Sequence, residues 1–335
     1  MRIGFNPKRG KMVENEFFHQ IVLPVYIPHE EGYFKDSFAI LKICLNSLFS
    51  TCHNQTYFTI VNNGSSPKVR SYLESLYTSS QIHELIHTTN VGRVNANLKG
   101  IVGHSFKLVT LTDADVLFAN GWQEATYKVF ENFNSAGAVT PVPNSRMIKT
   151  LTGNVLIANL FSKKLKFTKV KDPKSMEHFA NSINNFDLLK KVHLEKYLTI
   201  TNNDIEAMLG AGHFVITYRD DVFQKVYKNT NYLFAGNSND VFDIPVIENG
   251  FWRLSTASNY AFHMGNTLES WMDEKEINLK KNEEKVVMPK IEEQKINLFF
   301  NYLSIHFFSK ILFKKPIWRL FLRWKGLTKA EAANY

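Results

Sequence analysis

Short apolar segments rich in β-branched residues alternate with amphipathic ones, and this alternation constrains the fold more than any other feature of the chain. Residues 21–26 (Ile-Val-Leu-Pro-Val-Tyr) have the length and composition of a buried strand, with Pro24 near its end. Residues 34–49 then place Phe38, Leu41, Leu45, Leu48 and Phe49 at helical spacing. A second strand is expected at 57–61. It is stopped by Asn62-Asn63-Gly64-Ser65-Ser66-Pro67, where Asn and Gly tolerate positive φ and Pro67 suits a helix start. The spacing predicts that helix over 69–76, a strand at 85–88, a helix at 94–100 and a strand at 107–112. Residues 136–143 suggest a further strand, and 212–218 one that returns to the core. Strands alternating with helices predict a mostly parallel, Rossmann-like α/β sheet with helices on both faces. The stretch 145–205 is polar, rich in Lys and Asn, and shows no clear period.

In sheets of this kind ligands bind beyond the carboxyl ends of the strands. Three polar clusters fall there: the loop after Tyr26, residues 62–65, and Thr112-Asp113-Ala114-Asp115. On an extended segment Asp113 and Asp115 share a side, which suits gripping one divalent cation and its ligand. The plainer reading is a polar strand end or a helix cap. Such a pair alone is a weak motif, and its place directly after an apolar strand strengthens it.

Taken together, these segments resemble the family 2 glycosyltransferases, inverting enzymes of the GT-A fold, over about residues 20–267. Pro24 and Tyr26 look like the element beside the nucleotide, and Asn62-Asn63-Gly64-Ser65 resembles the turn after the second strand. Asn90, Gly92, Arg93 and Asn95 belong to a segment similar to the one lining the donor pocket. Asp113 and Asp115 occupy the family's D-x-D position, and His263, in Phe262-His263-Met264-Gly265-Asn266, matches a histidine that in some members binds the same metal. The resemblance implies a nucleotide-sugar donor, a UDP-sugar favoured, and a Mn or Mg ion, with Asp115 on the metal and Asp113 at the ribose or in the metal's shell. It also implies a catalytic carboxylate, for which Asp240 is the first choice and Asp243 the second. This sequence has Asn62 where the family usually has an aspartate, and Asn239 replaces an acid often found beside the base. Asn62 also reads as a plain turn residue, Arg93 as a solvated arginine and His263 as a structural histidine.

The formal charge of +9 is unevenly placed. Eight Lys/Arg and a single acid, Glu331, lie between Gln294 and Tyr335, so +7 of it sits in this tail. Lysines and arginines there interleave with Phe, Leu, Ile and Trp, and Pro316 divides two expected helices. This composition suits amphipathic helices on an anionic membrane surface, with packing on the domain as the alternative and nucleic acid a less favoured partner. The expected organisation is an N-terminal extension (1–19), a GT-A domain (20–270), a charged linker (271–293) and a basic, membrane-associating helical tail (294–328). Two cysteines, Cys44 and Cys52, are too few for a disulfide framework, and residues 1–8 hold no apolar run. The expected location is therefore cytoplasmic, on the inner face of the cytoplasmic membrane, where a lipid-linked or growing surface glycan would be the acceptor. Two other readings compete: a sugar nucleotidyltransferase, disfavoured by the acidic loop Ile27-Pro28-His29-Glu30-Glu31, and a non-catalytic membrane- or nucleic-acid-binding module.

Overall fold

In the computed structural model of the chain, residues 16–223, 239–282, 286–292 and 296–335 are described, the side chains of Phe223, Asn239 and Asp240 excepted. The first half alternates as expected: β1 (His19–Val25), α1 (Ser37–Thr51), β2 (Thr56–Asn63), α2 (Pro67–Thr78), β3 (Glu84–Thr88), α3 (Arg93–Ile101) and β4 (Leu108–Thr112). There follow β5 (Val116–Phe118), α4 (Trp122–Asn132), β6 (Ala136–Thr140), α5 (Gly153–Ala158), β7 (Leu165–Lys169), α6 (Pro173–Ser182), α7 (Lys191–Glu195), β8 (Lys196–Asn202), β9 (Ile205–Leu209) and β10 (Val215–Arg219). The chain continues through α8 (Asp220–Phe223), α9 (Ile244–Glu248), β11 (Trp252–Thr256), β12 (Ala261–His263) and α10 (Ser270–Ile277).

Ten strands form one sheet in the order β3-β2-β1-β4-β10-β6-β11-β9-β8-β7. Only β10, β9 and β7 run against the others, so the sheet is mostly parallel in direction. Alternation along β1 sends Ile21, Leu23 and Val25 to the face covered by α1 and α2. Val22 faces the other way and packs with Val61, Val109 and Leu111 beneath Val94 and Leu98 of α3. A strand buried on both faces must be apolar throughout, which is why residues 21–25 read as a continuous run. The fold class is the one expected: α/β, with a large, mostly parallel central sheet, helices on both faces and a helical C-terminal segment.

The stretch without a clear period supplies two strands, β7 and β8, and leads into β9. β7, β8 and β9 form an antiparallel meander at one end of the sheet. β7 reads Leu-Lys-Phe-Thr-Lys and buries only Leu165, so its pattern is that of a half-solvated edge strand.

The C-terminal segment is docked on the domain. Helix α11 (Leu298–Leu303) runs through a π-helical turn, Ser304–Phe308, into α12 (Ser309–Leu312); α13 (Lys315–Trp324) and α14 (Lys329–Asn334) follow. Leu312, Trp318, Phe321, Leu322, Leu327 and Ala332 enter the same core as Val155, Leu165 and Leu198. Phe167 N donates to Lys325 O at 3.0 Å, and Lys196 pairs with Glu331 at 2.7 Å. The expected linker opens with α10, which buries Met272 and receives a bond from Asn46 Nδ2 on α1 to Glu276 Oε1 at 2.9 Å.

Candidate active site

A cleft of about 780 Å³ opens at the carboxyl ends of β1, β2 and β4. Of the residues singled out in the sequence, Pro24, Tyr26, Asn63, Asn90, Arg93, Asp113, Asp115 and His263 line it. Asn62, Gly64, Gly92 and Asn95 do not line it, and they shape the loops behind it. Asn62 is 4% exposed; its Oδ1 accepts from Ser65 N at 3.0 Å and its Nδ2 donates to His87 Nδ1 at 3.0 Å. One end of the amide thus holds the turn and the other reaches across to β3. Asn63 Oδ1 accepts from Val91 N at 2.9 Å, and Asn63 Nδ2 donates to Asn90 Oδ1 at 3.2 Å, which ties two of the wall-forming loops together. Gly64 sits at φ +90°, and a Cβ there would lie 2.9 Å from Asn90 N. Only glycine lets those backbones approach so closely. Asn95 Nδ2 donates to Val91 O at 2.8 Å, holding the first turn of α3.

Asp113 and Asp115 lie in the turn between β4 and β5, so their carboxylates take different partners. Arg93 Nε donates to Asp113 Oδ1, while Arg93 Nη2 donates to His213 O at 2.9 Å. Asp113 N in turn donates to Phe214 O at 2.8 Å. Asp115 faces His263, with Oδ2 3.4 Å from Nε2, because β12 pairs with β5 and sets His263 opposite Val116. Ser182 Oγ donates to Phe179 O at 2.8 Å and so presents its lone pairs to His263 Nδ1 at 2.9 Å. In the neutral imidazole this places the proton on Nδ1 and leaves Nε2 bare, aimed at a carboxylate oxygen. Two acceptors turned toward each other suit a cation between them. Asp115 Oδ1 is itself buried without a hydrogen-bond partner among the described residues, although the side chain as a whole is 30% exposed. Burial raises the Asp115 carboxyl to about 6, with Asp113 adding to the rise and His263 and Arg93 opposing it. Among the described residues, no group of three or more His, Cys, Asp or Glu side chains converges on one point. An ion here would thus take few protein ligands, as suits one that also binds diphosphate oxygens and water.

The two acids proposed for catalysis differ in placement. The segment Asn239–Asp243 is a π-helical turn, and the Asp240 side chain lies outside the described residues. Asp243 is fully buried. Its Oδ1 accepts from Tyr218 OH at 2.9 Å and Arg253 Nε at 3.1 Å, and His213 Nδ1 lies 2.8 Å from Oδ2, which has no other partner among the described residues. Burial alone would raise this carboxyl. Arg253, His213 and Tyr218 outweigh it and hold the group below its ordinary range.

Several lining groups have no counterpart in the sequence reading. Tyr33 and Phe34 stand edge to face at 5.2 Å at the mouth, with Phe34 also 5.8 Å from Tyr26, and Tyr33 is 70% exposed. Ser182, Ile183 and Asn184, at the end of α6, close the opposite wall with Gly265 and Asn266. The aromatic pair after the first strand was the readable signal. The α6 residues lie in the unpatterned stretch and left none.

Residues 33–193 match the model of the family described as Glycosyl transferase family 2. Asp113 and Asp115 fall inside that span, while Asp243 and His263 fall beyond it. Among solved structures the chain is similar to S. aureus TarS 1-349 in complex with UDP, at 11% identity over 94% of this chain and 73% of that one, with a TM-score of 0.44. It is also similar to the mannosyltransferase PcManGT from Pyrobaculum calidifontis in complex with GDP-Man and Mn2+, at 12% identity over 72% and 56% of the two chains, with a TM-score of 0.41. Both likenesses are loose. No curated protein matches the chain.

Proposed function

We propose that this chain, a glycosyltransferase by its match to family 2 over residues 33–193, moves one sugar from a nucleotide diphosphate donor to a hydroxyl of a lipid-linked or growing surface glycan, with inversion at the anomeric carbon. The observation that carries the donor reading is the facing pair Asp115 and His263 on the floor of the cleft, with an orphaned carboxylate oxygen and a bare ring nitrogen. A divalent ion, Mn2+ or Mg2+, would be held there by Asp115 and His263, and supplies charge neutralisation to the departing diphosphate. The chain's own residues do the rest. Tyr26, Tyr33 and Phe34 offer aromatic surface for a base, uracil favoured. Asn63 and Asn90 hold the two loops of the nucleotide wall in register. Arg93 fixes Asp113, which then orients toward the ribose or the ion's shell.

Inversion requires a base on the face of the sugar opposite the diphosphate, worth roughly 10²–10⁴ in rate. Asp240 is the residue proposed for it. Asp243, three residues on and locked by Arg253 and Tyr218, is proposed to support that segment and His213. A lipid-linked acceptor goes with a location on the inner face of the cytoplasmic membrane, which is the location proposed. The test is transfer from UDP-sugars with Mn2+ by the full chain and by Asp240→Asn. Transfer should fall at least about 10²-fold while UDP affinity holds. Undiminished transfer by Asp240→Asn removes it from the role, and no transfer or hydrolysis with any common nucleotide sugar removes the reading.

A further inference from the structure

The helical run 298–312 is amphipathic in the reverse sense to a water-soluble helix. The face it turns to the domain is small and polar: Asn301, Ser304 and Ser309 are buried there, together with Leu312. Asn301 Nδ2 donates to Ile247 O at 2.8 Å. Ser309 lies so close to α5 that a Cβ on Gly153 would stand 2.7 Å from its Cβ. The face turned outward carries Leu298, Phe299, Tyr302, Phe307, Phe308 and Ile311, all exposed, with Phe299 at 72%. Small and hydroxylated residues inside with large apolar ones outside is the arrangement of a helix whose outer medium is lipid. In water this surface has no compensation, and a contiguous exposed apolar patch marks an interaction site.

Helix α13 extends the same surface. It buries Trp318, Phe321 and Leu322 in the core, as a water-facing helix should. Beside that stripe it exposes a second apolar one, Ile317, Leu320 and Trp324, at spacings of three and four. Phe161, from the loop between α5 and β7, is 84% exposed and meets Trp324 at 5.8 Å. Lys310, Lys314, Lys315, Arg319 and Arg323 surround these side chains, all exposed, and none forms an ion pair with an acidic residue among the described residues. No acid occurs in the sequence from Lys295 to Ala330.

We infer that residues 298–324, while docked on the domain, form a rigid platform seated in the headgroup layer of an anionic bilayer, its aromatic side chains in the acyl boundary and its five cations on lipid phosphates. No described helix is long and apolar enough to cross a membrane, so the platform lies in one leaflet. An anionic bilayer is the occupant that meets both features, the deep apolar surface and the unpaired positive charge. The inference adds a surface to the proposed location and is independent of the donor chemistry.

Sedimentation with vesicles tests it, using the full chain with phosphatidylcholine alone and with about 30% phosphatidylglycerol added. The wild-type chain should partition onto the anionic vesicles, less so as salt rises. Phe299→Ser/Phe307→Ser/Trp324→Ser should lose at least about tenfold in partition, with melting temperature and Mn2+-dependent UDP binding unchanged. Arg319→Gln/Arg323→Gln, at exposed sites, should lose the preference for anionic lipid and serves if the first variant does not fold. Binding to neither vesicle overturns the inference, as does equal binding by both variants. A concentration-dependent dimer that the triple variant abolishes, without vesicle binding, overturns it in favour of a second copy. Tight binding of single-stranded oligonucleotide in place of vesicles overturns it in favour of nucleic acid.

Discussion

Replacing Arg253 with methionine removes a charge and leaves most of the volume. Arg253 and Asp243 are both fully buried. The guanidinium reaches Asp243 Oδ1 at 3.1 Å through Nε, Ala211 O at 2.9 Å through Nη2 and Thr150 O at 3.3 Å through Nη1. Without it a buried carboxylate keeps only Tyr218 and His213, and two carbonyls lose a donor. Removing one partner of such a pair costs about 3–5 kcal/mol. Unfolding entropy of about 2.1 cal/mol/K per residue over the 335 residues gives about 0.7 kcal/mol/K, so the melting temperature should fall by roughly 4–7 °C near pH 7. The pH dependence gives the sharper signature. In the wild type Asp243 is held below its ordinary range, so its contribution is present near neutral pH and is lost as pH falls through that depressed value. In Arg253→Met burial is no longer outweighed by the arginine, the carboxyl titrates higher, and protonation relieves the variant first. The gap between the two melting curves should therefore narrow as pH drops toward 4. Calorimetry at several pH values reads both effects. A loss under about 1 °C at neutral pH, or a gap constant down to pH 4, refutes the account of this buried pair.

Gly64→Ala places a Cβ 2.9 Å from Asn90 N at φ +90°, and should cost about 1–3 kcal/mol in denaturant unfolding while weakening UDP binding through the displaced Asn63–Asn90 wall. Because burial lifts Asp115 to about 6, Mn2+ must displace a proton below that pH. The apparent Mn2+ affinity should be flat above pH about 6 and fall up to about tenfold per unit beneath it, read by calorimetric titration. Gly153→Val should push α12 off α5 through Ser309 and lower the melting temperature, with vesicle binding the more sensitive readout.

The central half of the sheet was legible because its strands are buried on both faces and cannot hide their composition: Ile21–Val25 and Leu108–Thr112 are apolar or hydroxylated throughout. The meander β7–β9 was not, since in β7 the alternation Leu165, Phe167 is broken by Lys169 at the third position of the same face, which hides a period of two in so short a strand. At the site, the resemblance already implied that Asp115 and His263 share one metal; what the sequence did not show is the device that brings them together, a three-residue pairing of β12 with β5. His213 and Arg253 escaped notice because neither sits in a recognisable motif; each matters only through Asp243. The tail showed its charge and aromatic content in sequence. Which side chains turn inward did not follow from it, since along 298–312 the polar residues are the buried ones.

The donor site at Asp115 and His263 is most directly tested by thermal shift of the full chain with UDP, with and without Mn2+, on wild type and on Asp115→Asn. The account predicts stabilisation of the wild type by UDP that requires Mn2+, and none in Asp115→Asn, which keeps the shape of the side chain and loses its charge. Equal stabilisation of both proteins, or stabilisation by UDP indifferent to Mn2+, contradicts it.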